Sequence, residues 1–254
     1  MTTPAPATRD ALGYRAKLGV IAPSTNTIVE PDFYRMTVPG VTAHFSRIHI
    51  RDMNMADDAG MERLLDQIRA EIGGACERVL TCEPDAMVMG MSAETFWGGK
   101  AGNEEFIAQI EGLTGLAVAT GAEACERALG LYGARRIGVV TPYQPVGDEN
   151  VVKFFGDIGF EVAAITGLRC PTAVSIAHVT EGELAAAIDS VDGPGIDAIV
   201  QCGTNLSMVG LADAEEAKRD KPVIAINAAT WWMALRMNGI DDQVAGSGSL
   251  LREH

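Results

Sequence analysis

The sequence predicts an α/β protein of two similar halves, each a parallel sheet flanked by helices, with a shared cleft between them. Short β-rich apolar runs alternate with longer helical patterns along the chain, the order expected of parallel strands joined by right-handed crossovers. The same order of elements then occurs a second time, and three pairs of segments carry the repeat. LGVIAP at 18–23 answers IGVVTP at 137–142, DAMVMGMS at 85–92 answers DAIVQCGT at 197–204, and LAVATGAEAC at 116–125 answers VIAINAATWW at 223–232. Such a long period marks a duplicated domain and not a solenoid array. Any one pair reads equally well as a generic β–α phrase; three in the same order favour duplication.

The elements follow in turn. Lys17 to Ala22, bounded by Pro23, reads as a buried strand, and Thr42 to Ile50 alternates like another. Met61 to Leu80 repeats its apolar residues at three and four, an amphipathic helix. Ala86 to Met89 is a strand running into Gly90. In the second half come strands at Arg136–Thr141, Phe160–Ile165 and Ala198–Cys202, with a helix from Glu181 to Asp189. The expected organisation is an N-terminal tail (1–16), a first lobe (17–120), a second lobe (121–230), and a C-terminal helix and tail (231–254) packing back on the first lobe.

Composition narrows the function classes. The 254 residues carry Lys+Arg 20 against Asp+Glu 34, a net charge of −14, with 47% hydrophobic and 21% charged residues. That is the mix of a globular enzyme. The acidic balance argues against nucleic acid or an anionic membrane as partner. No apolar run approaches the length of a membrane span, and the first residues lack the apolar core of a secretory signal. Five cysteines (76, 82, 125, 170, 202) follow no C-x-x-C or zinc spacing. A reduced, cytoplasmic compartment is expected.

The segments after the strands predict the cleft lining, because ligands of such folds sit beyond the carboxyl ends of the strands. These are Pro23–Thr27, Gly90-Met91-Ser92, Pro142-Tyr143-Gln144 and Cys202–Asn205. They hold hydroxyls, amides and small residues but no Lys, Arg or His. Backbone N–H groups and neutral donors of this kind can hold a carboxylate. Ser24, Thr25, Asn26 and Thr204 could instead be simple helix caps; four such segments at one mouth favour a binding site. Cys202 is the catalytic candidate. It ends a buried strand, and Gly203-Thr204 reads as opening a helix whose amide dipoles would bring the thiol from about 8.5 toward neutral. It could then exchange a proton near physiological pH. The competing reading is a small buried hydrophobe, which suits Cys76, Cys82 and Cys125; Cys170 stays open.

Other residue types are bland. His44 and His49 alternate on one strand, His178 lies on a helical stretch, and His254 is terminal. No nucleophile elbow, Walker loop or dinucleotide glycine pattern follows a strand. Nothing asks for a metal, flavin or nicotinamide. Trp97, Trp231 and Trp232 read as walls of a core or pocket.

PSTNTIVE at 23–30, Thr141-Pro142-Tyr143 and CGTN at 202–205, in this order and on these strand ends, resemble the aspartate/glutamate racemase superfamily. The branch is the one of maleate cis–trans isomerases and arylmalonate decarboxylases, and the resemblance spans Lys17 to Leu251. It implies a cofactor-independent enzyme of two pseudo-symmetric Rossmann-like lobes with four-stranded parallel sheets, its active site between them. Such enzymes form an enediolate next to a carboxylate, and they tend to oligomerise. Racemases and isomerases of this kind carry a cysteine in each half, whereas the decarboxylases keep only the second, with glycine at the first. Here the second is Cys202. Pairing Asp85 with Asp197 sets Gly90 opposite it; aligning Phe96-Trp97 with the decarboxylases' aromatic pair sets Met91 there. Neither supplies a thiol. The family's dioxyanion hole matches Ser92 and Tyr143 with nearby backbone amides, and Gly203 and Thr204 join the expected substrate-binding set. Asn26 matches the isomerases' carboxylate-binding asparagine, where decarboxylases are apolar; a further isomerase asparagine, near Thr172 or Ala173, is missing.

The reading placed first is a decarboxylase of a small malonate-like diacid with Cys202 as single proton donor. The alternative is a maleate cis–trans isomerase or a racemase-like isomerase. From another class comes a non-catalytic dicarboxylate-binding protein. Phe96, Trp97 and Met208 are expected to set pocket size.

Overall fold

The computed structural model describes residues 10–51 and 54–254; most of the expected N-terminal tail lies outside them. The first half forms β1 (Ala16–Pro23), α1 (Val29–Arg35), β2 (Val41–Ile48), α2 (Asp58–Leu80), β3 (Ala86–Met89), α3 (Ala93–Phe96), α4 (Gly99–Thr114) and β4 (Val118–Ala119). There follow α5 (Gly121–Leu131), β5 (Arg136–Thr141), α6 (Pro145–Asp157), β6 (Glu161–Gly167), a 3₁₀ turn (Ser175–His178), α7 (Glu181–Val191) and β7 (Ala198–Gln201). The chain closes with α8 (Val209–Arg219), β8 (Val223–Ala225), α9 (Ile226–Met237) and α10 (Ser249–Glu253).

Two four-stranded sheets result, ordered β2-β1-β3-β4 and β6-β5-β7-β8, and every pairing is parallel. Parallel strands are buried on both faces; β3 and β7 are wholly apolar or buried along their length, and β1 and β5 nearly so. The repeat is visible in the registers. Leu18 pairs with Ala86 as Ile137 pairs with Ala198. The two aspartates opening the second pair of segments do the same job, Asp85 accepting from the Lys17 N–H at 2.8 Å and Asp197 from the Arg136 N–H at 2.8 Å. The third pair is in slipped register. Met87 pairs with Val118, whereas its equivalent Ile199 pairs with Val223, so Val118 corresponds to Val223 and not to Ala225. Short aliphatic strands do not fix their own register by composition.

Helix starts follow local chemistry. Asp57 caps α2 through the Gly60 N–H, Thr120 caps α5, and Thr180 and Glu183 form a reciprocal capping box on α7. The helical stretch expected around His178 is the short 3₁₀ turn. The lobes meet where α2 and α4 pack on α6, with Phe96 edge-on to Phe154 at 5.3 Å between ring centres. Helix α9 leaves the second sheet and packs against β3, β4 and α1 of the first, and the boundary expected at 230/231 falls inside it. Trp231 anchors this crossing, its ring 4.9 Å from Phe33 and its indole N–H donating to the Met36 carbonyl. No described helix is long and apolar enough to cross a membrane.

Candidate active site

Four strand ends converge on one cavity. After β1 it is lined by Thr25 and Asn26, after β3 by Met91 and Ser92, after β5 by Pro142 and Tyr143, and after β7 by Gly203, Thr204 and Asn205. Side chains tie these segments to one another across the two lobes. The Asn26 amide donates to Thr204 Oγ1 at 3.0 Å, and its carbonyl oxygen accepts the Ile28 and Val29 N–H groups. One residue thus caps α1 and faces the other lobe. The Asn205 carbonyl oxygen accepts the Thr27 N–H at 3.0 Å, and its amide donates to the Ala173 carbonyl at 3.0 Å. Ser92 Oγ lies 2.7 Å from the Tyr143 hydroxyl and accepts the Thr204 N–H at 3.2 Å.

Tyr143 is fixed from beneath. Its N–H donates to Thr141 Oγ1, which in turn donates to Asp148, while Arg169 bonds both Asp148 and the Tyr143 carbonyl. Burial pushes the phenol far above its ordinary range, so it acts as a neutral hydrogen-bonding group. No lining residue carries a formal charge. A hydroxyl pair, two carboxamides and a backbone N–H are therefore what the cavity offers to negative charge.

The opposite wall is apolar: Met55, then Met61, Leu64 and Ile68 on one face of α2, and Ile176 of the 3₁₀ turn. The space open to water-sized bodies is about 60 Å³. At roughly 10–15 Å³ per water in this measure, that is room for a few waters.

Cys202 departs from expectation in two respects. Its sulfur is fully buried and does not line the cavity, whereas the next residue, Gly203, does. No helix opens at Gly203-Thr204, since residues 204–206 form a turn and α8 starts only at Val209. The amide dipoles invoked to acidify the thiol are consequently absent. Burial, reinforced by the nearby Cys125 and Asp148, pushes it well above the ordinary thiol range. The sulfur holds its proton at neutral pH and is an acid in its resting state.

The two candidates for the opposite position separate. Gly90 is the backbone counterpart of Cys202, its N–H donating to the Ile21 carbonyl as that of Cys202 donates to Val140. It does not line the cavity, and a Cβ there would stand 3.1 Å from both the Ala22 Cβ and the Ile21 carbonyl. Met91 is the residue presented to the cavity. Ser24 turns away to bond Ile50, and Phe96, Trp97 and Met208 are not in the lining. Phe96 is instead packed between the lobes among Phe154 and Phe155.

Sequence reasoning placed Asn205 in the cleft lining as the end of the CGTN motif but gave it no role of its own. The α2 wall carried no distinguishing signal, because a helix face that lines a pocket has the periodicity of one that fills a core. Among the described residues no cluster of three His, Cys, Asp or Glu side chains could hold a metal ion.

The arylmalonate decarboxylase family model matches residues 18–251. Among curated proteins, the chain is 28% identical over 251 residues to a maleate isomerase of Pseudomonas putida, covering 92% of this chain and 96% of that one. It is 25% identical over 246 residues to a maleate isomerase of Nocardia farcinica, covering 93% and 96%. Among solved structures, it resembles a cysteine-to-serine mutant of the Nocardia farcinica maleate cis–trans isomerase with a covalently bound succinylcysteine intermediate. There the TM-score is 0.84 at 21% identity, over 94% of this chain and 98% of that one. A liganded double mutant of arylmalonate decarboxylase aligns with a TM-score of 0.77 at 19% identity, over 94% and 99%. These structural likenesses establish the two-lobed parallel α/β fold. The chain belongs to the arylmalonate decarboxylase family, and with it to the cofactor-independent isomerases and decarboxylases.

Proposed function

We propose that this chain isomerises a short cis-unsaturated dicarboxylate, of the maleate type, with Cys202 as its reacting thiol. The observation that carries this is the 28% identity over 251 residues to a maleate isomerase. It moves isomerisation ahead of the decarboxylation that the sequence reading placed first. A small cavity lined by Asn26 and Asn205, with an amide for each end of a diacid, supports it.

The chemistry balances with one thiol. The Cys202 proton passes to a substrate carboxylate and the sulfur adds to one alkene carbon. An S–C bond forms, and the π pair moves into the adjacent carboxyl as an enediolate. Ser92, Tyr143 and the Thr204 N–H stabilise that charge. The former double bond is now single and rotates. The pair returns, sulfur leaves, and it recovers its proton.

A second reading, decarboxylation of a malonate-like diacid, is favoured by two observations: Met91, not a second thiol, faces the cavity, and Cys202 rests protonated. Carbon dioxide would leave, its bonding pair would become the enediolate of the remaining carboxylate, and Cys202 would protonate one face. The protein incubated with maleate and with a set of malonates in deuterated water, followed by proton NMR, separates the two. Fumarate from maleate is expected, with Cys202→Ala and Cys202→Ser abolishing turnover while circular dichroism is unchanged. Undiminished fumarate formation by Cys202→Ala overturns the role of the thiol. Deuterated monoacid from a malonate, without fumarate from maleate, selects the second reading.

A further inference from the structure

We propose that Asp32 and Asn227, which do not line the cavity, are positioning residues for it: ionised Asp32 orients the Asn227 amide, and that amide holds the Thr204 carbonyl in place. The proposal rests on the reading above that this cavity is the catalytic one.

The two residues come from helices of opposite halves, Asp32 from α1 and Asn227 from the first turn of α9, and both are buried. Asn227 Nδ2 donates to Asp32 Oδ2 at 2.8 Å and to the Thr204 carbonyl at 3.0 Å. Thr204 is thereby held at three points, since its N–H donates to Ser92 Oγ and its hydroxyl accepts from Asn26. A continuous path runs Asp32, Asn227, Thr204, Ser92, Tyr143.

The orientation of the Asn227 amide depends on charge. Its oxygen is buried and has no hydrogen-bond partner, an arrangement that costs free energy. Turning the amide over would set that oxygen against two acceptors, the Asp32 carboxylate and the Thr204 carbonyl, so ionised Asp32 forbids the turn. Protonation of Asp32 lifts that constraint, because a carboxylic acid can donate as well as accept, and it takes the charge off the bond to the Asn227 amide. The hold of that amide on the Thr204 carbonyl then loosens.

Burial lifts the Asp32 carboxyl to about 6, against the opposing influence of the Asn227 bond and of Arg35 one turn along α1. The other charged or titratable groups on α1 and the elements packed on it are Glu30, Tyr34, His44, Arg47 and Arg236. Glu30 and Arg47 pair with each other, and Arg236 binds carbonyls beyond the far end of α9. The Asn227–Thr204 segment of the path holds no ionisable group, so the switch is the Asp32 proton alone.

The test follows the Thr204 backbone amide by heteronuclear NMR between pH 4.5 and 8, together with kcat and KM for maleate isomerisation. In the wild type the Thr204 signal should move with a midpoint near 6, and kcat should be about tenfold lower at pH 5 than at pH 7, as one protonation requires. In Asp32→Asn both titrations should vanish. In Asn227→Ala the Asp32 carboxyl should still titrate while Thr204 no longer follows it. If Asp32→Asn does not fold, the Asn227→Ala comparison decides alone. A Thr204 signal flat in the wild type, or still following the titration in Asn227→Ala, overturns the proposal. Thr204 following Asp32 in a protein that turns over no dicarboxylate overturns the functional reading and leaves the coupling standing.

Discussion

Around Cys202 the contest between burial and charge decides which protonation state the sulfur holds. With no cation in the lining and Asp148 nearby, the neutral thiol wins. Alkylation should accordingly be slow at Cys202, and Met91→Cys, which puts a thiol on the cavity wall, should be labelled by iodoacetamide much faster, as read by peptide mass spectrometry. Equal rates at the two positions would contradict the burial described. Asp32 makes a stability prediction with a definite sign. The folded protein keeps its proton up to about pH 6, while the unfolded chain releases it near 3.8. Folding therefore takes up a proton between those values, and stability contributed by this group falls as pH rises from about 4 to 6, then levels off. The amount is roughly 3 kcal/mol. Asp32→Asn should flatten that segment of the stability–pH curve in urea titrations. The residue types at the site were legible in the sequence: Asn26, Ser92, Tyr143 and Thr204 could be named from the segments after the strands. The state of Cys202 was not, because depth beneath a surface is set by tertiary packing and not by the local segment.

At the scale of elements, the strand ends carry the site and the helices cover the sheets. Gly138 lies in β5 where the last turn of α7 crosses it. A Cβ there would stand 2.5 Å from the Val191 carbonyl and 3.1 Å from its side chain. Gly138→Ala should destabilise the protein by about 1–3 kcal/mol, measured by chemical denaturation, since the obstacle includes backbone. Thr180→Ala removes a reciprocal cap from α7 and should cost about 1 kcal/mol in the same measurement. Strands and amphipathic helices announced themselves by period, and Ala86–Met89 and Arg136–Thr141 fall where the pattern set them. Two errors at this scale share a cause. The slipped third repeat and the false helix start after Cys202 both came from reading short segments by composition, whereas register and turn are fixed by neighbouring strands and loops.

For the whole molecule, a net charge of −14 surrounds a cavity that takes its ligand with neutral donors. A dianionic substrate of the proposed kind would approach against that field. Screening should help it, so kcat/KM should rise severalfold as ionic strength goes from about 0.01 to 0.15 M, where the Debye length shrinks from about 30 to 8 Å. A neutral diester analogue used as a competitive inhibitor should show no such dependence. The duplicated architecture was legible because the repeat needs only the order of elements. A C-terminal helix packing back on the first lobe was expected; its anchor there, Trp231 of α9 on Phe33, is encoded by no local pattern.

The contact between Asn26 and Thr204 has one more effect. Before any guest arrives these side chains already spend one donor and one acceptor on each other, so a visitor that displaces the bond gains only what it offers beyond that pairing. A chloride ion or a simple monocarboxylate touches one rim and at best breaks even. A molecule with acceptors at both ends can replace the pairing on each side at once. On the proposed function, such a site would sort its visitors by valence and span, at the expense of a bond between the two lobes.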